Sequence, residues 1–320
     1  MTTRSGMVAL IGRPNVGKST LMNKLIGEKI SITTPVAQTT RNQIRGIQTT
    51  DRGQIVYLDT PGIHRPKTAL NRYMVLAATN ALETVDVVFY MIDATRTDPV
   101  VMGDESGSSR KHPGVGEDAM IFKHLKKADC PVFLVVNKVD RIKNKAMLLP
   151  IIEKYTERLD FAQVIPISAE TGDGTDVLVD EVFGRLPEIP PMFPAEYSTD
   201  RAERFLVAEL IREKLILHTR KELPHSVAVV IEEFDEEERG EKEGHGLIRI
   251  SAMIVVERSS QKGIVIGKRG SKLKQVGSEA REDIEALLGC KVFLKLWVKV
   301  DENWSRNQLR MRELGYEEEY

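Results

Sequence analysis

The sequence predicts an α/β chain: a P-loop, doubly wound, mainly parallel sheet followed by a smaller α+β domain. Three observations predict it. A glycine loop, Gly12-Arg13-Pro14-Asn15-Val16-Gly17-Lys18-Ser19-Thr20, lies between the apolar run Met7-Val8-Ala9-Leu10-Ile11 and a segment with helical apolar spacing (Leu21, Met22, Leu25, Ile26). Apolar runs at 85–92 and 132–136, of the kind buried on both faces of a parallel sheet, alternate with helical segments. Four prolines between 187 and 194 then end that alternation, since proline neither continues a helix nor enters a central strand.

Strand, glycine loop and helix in that order form a phosphate cradle. The loop amides and the positive helix N-terminus favour an anion in the same space. Lys18 adds a full charge for the terminal phosphates, and the Ser19 hydroxyl can reach a bound Mg²⁺. The plainer reading, a tight turn capped by serine, does not explain the flanking strand and helix.

Residues 31–42 carry Thr33, Thr34, Thr39 and Thr40 around Pro35 without a sustained period and read as a mobile polar loop. Residues 44–50 and 54–58 read as strands joined by the Asp51-Arg52-Gly53 turn. The second ends in Asp59-Thr60-Pro61-Gly62. Alone this is a common turn, but a carboxylate at a strand's carboxyl edge beside a cradle is where a Mg²⁺-linked acid belongs. A basic irregular segment (63–72), a helix (73–82), the strand at 85–92 and a loop-like stretch (99–116) follow. A helix over 118–127 leads to the strand that ends in Asn137-Lys138-Val139-Asp140.

That tetrapeptide selects the base. Asp140 can accept parallel hydrogen bonds from guanine N1–H and its exocyclic amino group; adenine would leave the carboxylate unmatched, at a cost of about 1–3 kcal/mol. Asn137 and Lys138 would brace the base and the loop. A helix (146–157) and a short strand (163–167) lead to Ser168-Ala169, which can offer backbone amides to the guanine carbonyl, and a helix over 177–186 closes the domain. The boundaries are residues 1–187 for the first domain, 188–200 for a short stiff linker and 201–320 for the second.

The second domain opens with a strong helix over 200–217, then strands over 226–234 and 246–257. The acidic run between them reads as a solvated hairpin end. Next comes Ile266-Gly267-Lys268-Arg269-Gly270, followed by Lys272 and Lys274, within a stretch from 258 to 274 that has six basic residues and no acids. A Gly-x-x-Gly turn lets backbone approach a nucleic-acid strand while the cations meet its phosphates. Ile264, Val265 and Ile266 could floor the bases. A helix over 273–288, a strand over 292–300 and a tail helix bearing Trp304, Arg306, Arg310, Met311 and Arg312 complete the unit.

Composition narrows the rest. The 320 residues, 41% apolar, support two cores, and 46 basic against 47 acidic residues leave a net charge of −1 that selects no partner. Cys130 and Cys290 are far apart, and the six histidines lack metal-ligand spacing, so no disulfide framework or zinc site is expected. No apolar run approaches the ~20 residues that span a bilayer, and the amino end leaves no room for a signal peptide, which fits a cytoplasmic protein.

In their order, Gly12 to Ser19, Asp59 to Gly62, Asn137 to Asp140 and Ser168-Ala169, followed by one Gly267-Lys268-Arg269-Gly270 turn, resemble the Era/TrmE-type family of bacterial GTPases with a C-terminal KH domain, the Era branch in particular. A tandem-GTPase relative would need a second P-loop, and the tRNA-modifying relative a C-terminal cysteine; neither is present. The resemblance implies a monomeric GTPase that takes GTP and GDP with Mg²⁺. It implies binding to the 3′ end of small-subunit (16S) ribosomal RNA, help in assembling that subunit, and, for some members, association with the inner face of the cell membrane. It assigns Thr40, with Thr39 as fallback, to the switch threonine that closes on Mg²⁺ and γ-phosphate, and Asp59 to the ion through water. Lys18, Thr40 and Asn15 are then the catalytic candidates, Asn15 as a K⁺ ligand. Ile63 stands where many GTPases carry a water-orienting glutamine, so slow intrinsic turnover is expected. The γ-phosphate should order 31–42 and 62–72 and thereby gate RNA contact. The alternative is an RNA-binding chaperone whose nucleotide site is mainly structural. The departure from the family is an insertion over 103–116.

Overall fold

The structure is a computed structural model that describes residues 3–64, 68–96, 115–219, 223, 226–240 and 246–316. The stretch at 99–114, and most of the insertion with it, lies outside the described residues. The chain forms two compact units; the first ends at Asp200, and the second includes Ile32–Thr39 as well as the residues from Arg201 onward.

The first unit is a six-stranded sheet ordered β2-β3-β1-β4-β5-β6. Its strands are β1 (Arg4–Gly12), β2 (Ile44–Thr50), β3 (Gly53–Asp59), β4 (Val87–Asp93), β5 (Val132–Asn137) and β6 (Gln163–Pro166). All neighbours are parallel except β2, which runs antiparallel to β3. Every residue of β3, β4 and β5 is buried, as continuous apolar runs in a doubly covered parallel sheet require. The helices are α1 (Lys18–Ile26), α2 (Ala69–Asn80), α3 (Val115–Leu125), α4 (Leu148–Thr156) and α5 (Thr175–Phe183). Tyr90 anchors one core face, packing edge-on against Phe122 with ring centroids 5.4 Å apart and against Tyr155 at 5.8 Å.

The proline-rich segment does not hang free. The Gln54 side chain accepts the Met192 and Phe193 amides, both at 2.9 Å, and donates to the Phe193 carbonyl. Ile47 N–H donates to Ser198 O at 2.8 Å, and Thr199 Oγ1 to Arg45 O at 2.6 Å.

In the second unit, α6 (Glu203–His218), α7 (Ser259–Ile266) and α8 (Ser271–Leu288) cover one face of a sheet ordered β7-β8-β9. Its strands are β7 (Val227–Arg239), β8 (Gly246–Val256) and β9 (Lys291–Val300), with β7–β8 antiparallel and β8–β9 parallel. The core joins Leu210, Ile211 and Leu215 to Ile250, Ile254, Val276, Ala280 and Ile284.

Three expectations are corrected. The acidic run is not a hairpin end: β7 continues to Arg239, with register shifts at Ile231/Glu233 and Asp235/Glu238. Charges are tolerated there because β7 is an edge strand whose side chains stay exposed. The segment at 31–42 is not a free polar loop: Ser31, Ile32, Thr39, Thr40 and Arg41 are buried. Within the second unit, Ile32 joins the core, Thr33 N–H donates to Glu213 Oε1 at 2.9 Å, and Arg212 donates to the Thr39 carbonyl at 2.5 Å. The tail is a 3₁₀ turn (Trp304–Arg306) and a short α9 (Gln308–Glu313) rather than one helix; buried Trp304 stacks on Tyr316, and Arg310 pairs with Asp301.

Candidate functional site

The loop after β1, the turn after β3 and the residues after β5 and β6 all lie at the carboxyl edge of the sheet. Open parallel sheets bind ligands there. The cradle is held open by glycines. A Cβ on Gly12 would come within 2.5 Å of the Met91 carbonyl, and one on Gly17, at φ +105°, within 2.2 Å of Asn137 Nδ2. Asn15 takes a left-handed φ of 64°, which asparagine adopts more readily than most residues. Val16 is buried beneath the loop, while Thr20 lies in the first turn of α1. Lys18 Nζ is buried and donates to Gly12 O at 3.3 Å and Arg13 O at 3.2 Å. Burial pushes its pKa down to about 8 against the opposing pull of Asp59, so a phosphate in the cradle would return the charge that burial penalises.

Ser19, Thr40 and Asp59 converge. Ser19 Oγ donates to Asp59 Oδ2 at 2.6 Å and lies 3.0 Å from Thr40 Oγ1, which is itself 3.4 Å from Asp59 Oδ2. Ser31 Oγ adds a fourth oxygen, donating to the same carboxylate atom at 2.7 Å. Asp59 Oδ1 is buried with no hydrogen-bond partner, and burial raises the carboxyl pKa despite Lys18 and the three hydroxyls. One orphaned carboxylate oxygen among hydroxyls fits a hard divalent cation such as Mg²⁺. Thr39 is turned to its own loop, donating to Val36 O at 2.7 Å, so Thr40 is the threonine that meets Ser19. Among the described residues no group of three or more His, Cys, Asp or Glu is placed to hold a metal.

Asn137 ties three segments together. Its Nδ2 donates to Val16 O at 2.8 Å, and its Oδ1 accepts the Lys138 amide at 2.7 Å and the Ala169 amide at 2.9 Å. Lys138, left-handed at φ 66°, donates from Nζ to Asn15 O at 2.8 Å and to Asp93 Oδ2 at 2.7 Å. Val139 is buried under this turn, and the Asp140 carboxylate remains partly exposed, 3.8 Å from Arg141. Ser168 N–H donates to Asp173 O, and Ala169 N–H is the one given to Asn137. In the turn after β3, Thr60 Oγ1 donates to Leu10 O at 2.7 Å, Pro61 leads into Gly62, and a Cβ on Gly62 would meet Pro14 N at 2.7 Å. Ile63 is fully buried, its amide donating to Gly12 O at 3.3 Å.

Sequence reasoning missed Ser31 and Asp93. Asp93 ends β4 at the same sheet edge as Asp59 ends β3, and that shared position was the available signal. Burial pushes the Asp93 carboxyl up, but hydrogen bonds from Lys138 and Thr95 outweigh it and leave the pKa below 3.8. A carboxylate lowered by folding contributes stability above the unfolded value, and that contribution fades as pH falls through the folded one. Asp93→Asn should therefore cost about 1–3 kcal/mol at neutral pH. Urea midpoints of the two proteins should draw together as pH falls below about 4.

In the second unit, α7 and α8 meet at Gly267-Lys268-Arg269-Gly270. Gly267 (φ 72°), Arg269 (φ 50°) and Gly270 (φ 79°) are left-handed. A Cβ on Gly267 would press within 2.7 Å of Lys272 Cβ, whereas one on Gly270 would meet nothing within 4 Å, so the backbone there is open to approach. Lys268, Arg269 and Lys274 are exposed, and Lys272 and Ile266 half-buried. Val265 is fully buried in the core, so only Ile264 and Ile266 remain as a floor.

Comparison with known proteins agrees with a GTPase sheet followed by a KH unit. Residues 7–138 match a family model described as 50S ribosome-binding GTPase, and residues 222–305 one described as KH domain. The structure of a point variant of Aquifex aeolicus Era bound to GDP and AlF₄⁻ is 38% identical, with a TM-score of 0.86, the match covering 98% of this chain and 99% of that one. Era in complex with MgGDPNP and nucleotides 1506–1542 of 16S ribosomal RNA is 39% identical, with a TM-score of 0.87 and the same coverage. At that identity over nearly its whole length, the chain belongs to the Era family of GTPases, a GTPase domain followed by a KH domain.

Proposed function

We propose that this GTPase binds the 3′ end of small-subunit ribosomal RNA and assists assembly of the small subunit, with its nucleotide state gating RNA contact. The observation that supports this reading most is the presence, in one chain, of a cation-ready cradle at the sheet edge and an exposed basic Gly-x-x-Gly turn. In hydrolysis, water attacks the γ-phosphorus, the bond to the β–γ bridging oxygen breaks and GDP leaves. Lys18 would meet the charge developing on the phosphate oxygens, while Ser19, Thr40 and Asp59 would hold Mg²⁺, which supplies further charge neutralisation there. Asp140 would read the base. With Ile63 buried, no side chain at that position can orient water, and turnover without a partner should be slow.

The test measures RNA affinity with GDP and with a non-hydrolysable GTP analogue, using the 3′ segment of small-subunit RNA. A difference on the order of 10-fold is expected from ordinary coupling free energies. Equal affinity in both states would sink the gating, and no binding in either would sink the RNA reading.

Asn15 is proposed as a ligand for K⁺ at the phosphates. Turnover should then be faster in KCl than in NaCl, with the difference lost in Asn15→Asp; equal rates in both salts would remove the assignment. Membrane contact, where it occurs, is peripheral. Among the described residues no helix is long and apolar enough to cross a bilayer, while exposed Met147 and Leu149 lie near Lys143 and Lys145. Failure to float with anionic vesicles would exclude that contact. We take the working unit to be a monomer, because each site is completed by one chain's own residues.

A further inference from the structure

The second unit's sheet has a face that the Gly267–Gly270 turn leaves unused. β9 reads Lys-Val-Phe-Leu-Lys-Leu-Trp-Val-Lys-Val, and alternate residues of a strand point to opposite faces. Val292, Leu294, Leu296, Val298 and Val300 pack with the core under the helices, where a Cβ on Gly277 of α8 would meet Leu296 at 3.4 Å. The opposite face presents Lys291, Phe293, Lys295, Trp297 and Lys299, all exposed, with no acid among them; Lys291 makes a surface ion pair with Glu285 at 3.4 Å, of a kind weak enough to yield to a phosphate. Phe293 is 56% exposed and Trp297 37%.

Lysines on an edge strand are accounted for by protection against edge-to-edge pairing. Two large exposed rings between them are not, since they work against that protection. Side chains on one face repeat at roughly 6.8 Å, which sets a ring, a cation and a ring in line along the strand. The Trp297 ring is also held in place: its indole N–H donates to Glu232 Oε2 at 2.6 Å. Such an alternation of stacking faces and phosphate partners suits an extended single strand.

Charge then gives the direction. Across the sheet Arg249 is already paired with Glu238, and β7 carries Glu232, Glu233 and Asp235. A polyanion would follow β9 and avoid β7. α7 and α8, which carry the Gly-x-x-Gly turn, pack on the opposite face of this same strand, and β9 is the sheet edge, so a strand leaving the turn reaches the exposed face by rounding that edge.

We propose that the exposed face of β9 is a second contact surface for single-stranded RNA, in which Phe293 and Trp297 stack on bases and Lys291, Lys295 and Lys299 pair with phosphates. This rests on the RNA-binding reading above and extends it beyond the turn.

The experiment uses the full chain with a GTP analogue and two RNAs from the 3′ end of small-subunit RNA. One spans the roughly four nucleotides that a Gly-x-x-Gly turn clamps; the other is several times longer. Phe293→Ala with Trp297→Ala should weaken the long RNA on the order of 10- to 100-fold and leave the short one unchanged. Lys291→Gln, Lys295→Gln and Lys299→Gln together should lower the salt slope for the long RNA by about two, as expected for three lost single-strand phosphate contacts. Phe293→Tyr with Trp297→Phe should keep the affinity, separating lost stacking from lost folding. Unchanged affinity of the long RNA in both the Ala and Gln variants would overturn the β9 surface. So would retention of a protein partner, but not of the long RNA, by the unaltered face. Gly270→Asp reports separately: if it leaves the short RNA bound as before, the reading of the turn itself fails, whatever β9 does.

Discussion

Replacing Lys18 with alanine is expected to weaken GTP binding by at least ~100-fold. In the structure Nζ is buried and donates to the Gly12 and Arg13 carbonyls, both part of the loop that would surround the phosphates. Hydrogen bonds to charged groups contribute about 1.5–3 kcal/mol each. Two of them to β- and γ-oxygens correspond to about 3–6 kcal/mol, or factors of roughly 10² to 10⁴. The ammonium exists in this buried place at the expense of solvation, which is why burial lowers its pKa to about 8. Removing it should not unfold the chain, so the loss belongs to binding. Titration calorimetry with a non-hydrolysable GTP analogue checks this beside a thermal melt: a weakened complex at an unchanged Tm is the expected pair, and an unchanged affinity would remove Lys18 from the site.

Asp140→Asn should reverse the choice of base. The carboxylate can accept from guanine N1–H and its amino group together, and an amide in its place offers one acceptor and one donor. Against guanine, the new N–H faces another N–H, and binding should fall at least ~100-fold, since a site built to hydrogen-bond one pattern rejects the mismatched one strongly. Xanthine nucleotides carry a carbonyl where guanine carries the amino group, and they should gain what guanine loses. Because the Asp140 side chain is partly exposed and its one ion pair among the described residues is the 3.8 Å approach to Arg141, the variant should remain folded. Competition of GTP and XTP for the variant is the check. Preference still for GTP would mean that Asp140 does not read the base.

The sequence carried the parts of this molecule that depend on short-range chemistry. The cradle, the Asp59 turn and the Asn137 tetrapeptide were legible because each couples a fixed spacing to the end of an apolar strand. The doubly wound sheet followed from unbroken runs such as 132–136. Less was legible where long-range partners decide. Nothing local in Ser31 says that its hydroxyl will meet Asp59, 28 residues on. Ile32 and the threonines after it look polar and loop-like as a string, yet Ile32 is part of a core whose other members lie beyond residue 200. Val265 illustrates the reverse error: beside a basic turn it looks like a surface for bases, but helical periodicity turns it inward while Ile264 and Ile266 stay at the rim. The acidic half of β7 was hidden because charge argues for solvent, and an edge strand satisfies that demand without ceasing to be a strand.

The fastening of residues 192–199 along β2 has a consequence for where the first domain ends. β2 is the outermost strand of its sheet, and its outward backbone groups at Arg45 and Ile47 are met by Thr199 and Ser198. Gln54, with no exposed surface, has its amide satisfied by Met192 and Phe193. A fragment cut at the proline cluster would lose all of these, leaving the buried Gln54 amide oxygen without its two donors and a sheet margin open to pairing with other copies. The prolines mark a change of composition, but the cohesive boundary comes thirteen residues after Pro187, at Asp200, where the Arg45–Asp200 ion pair closes the seam.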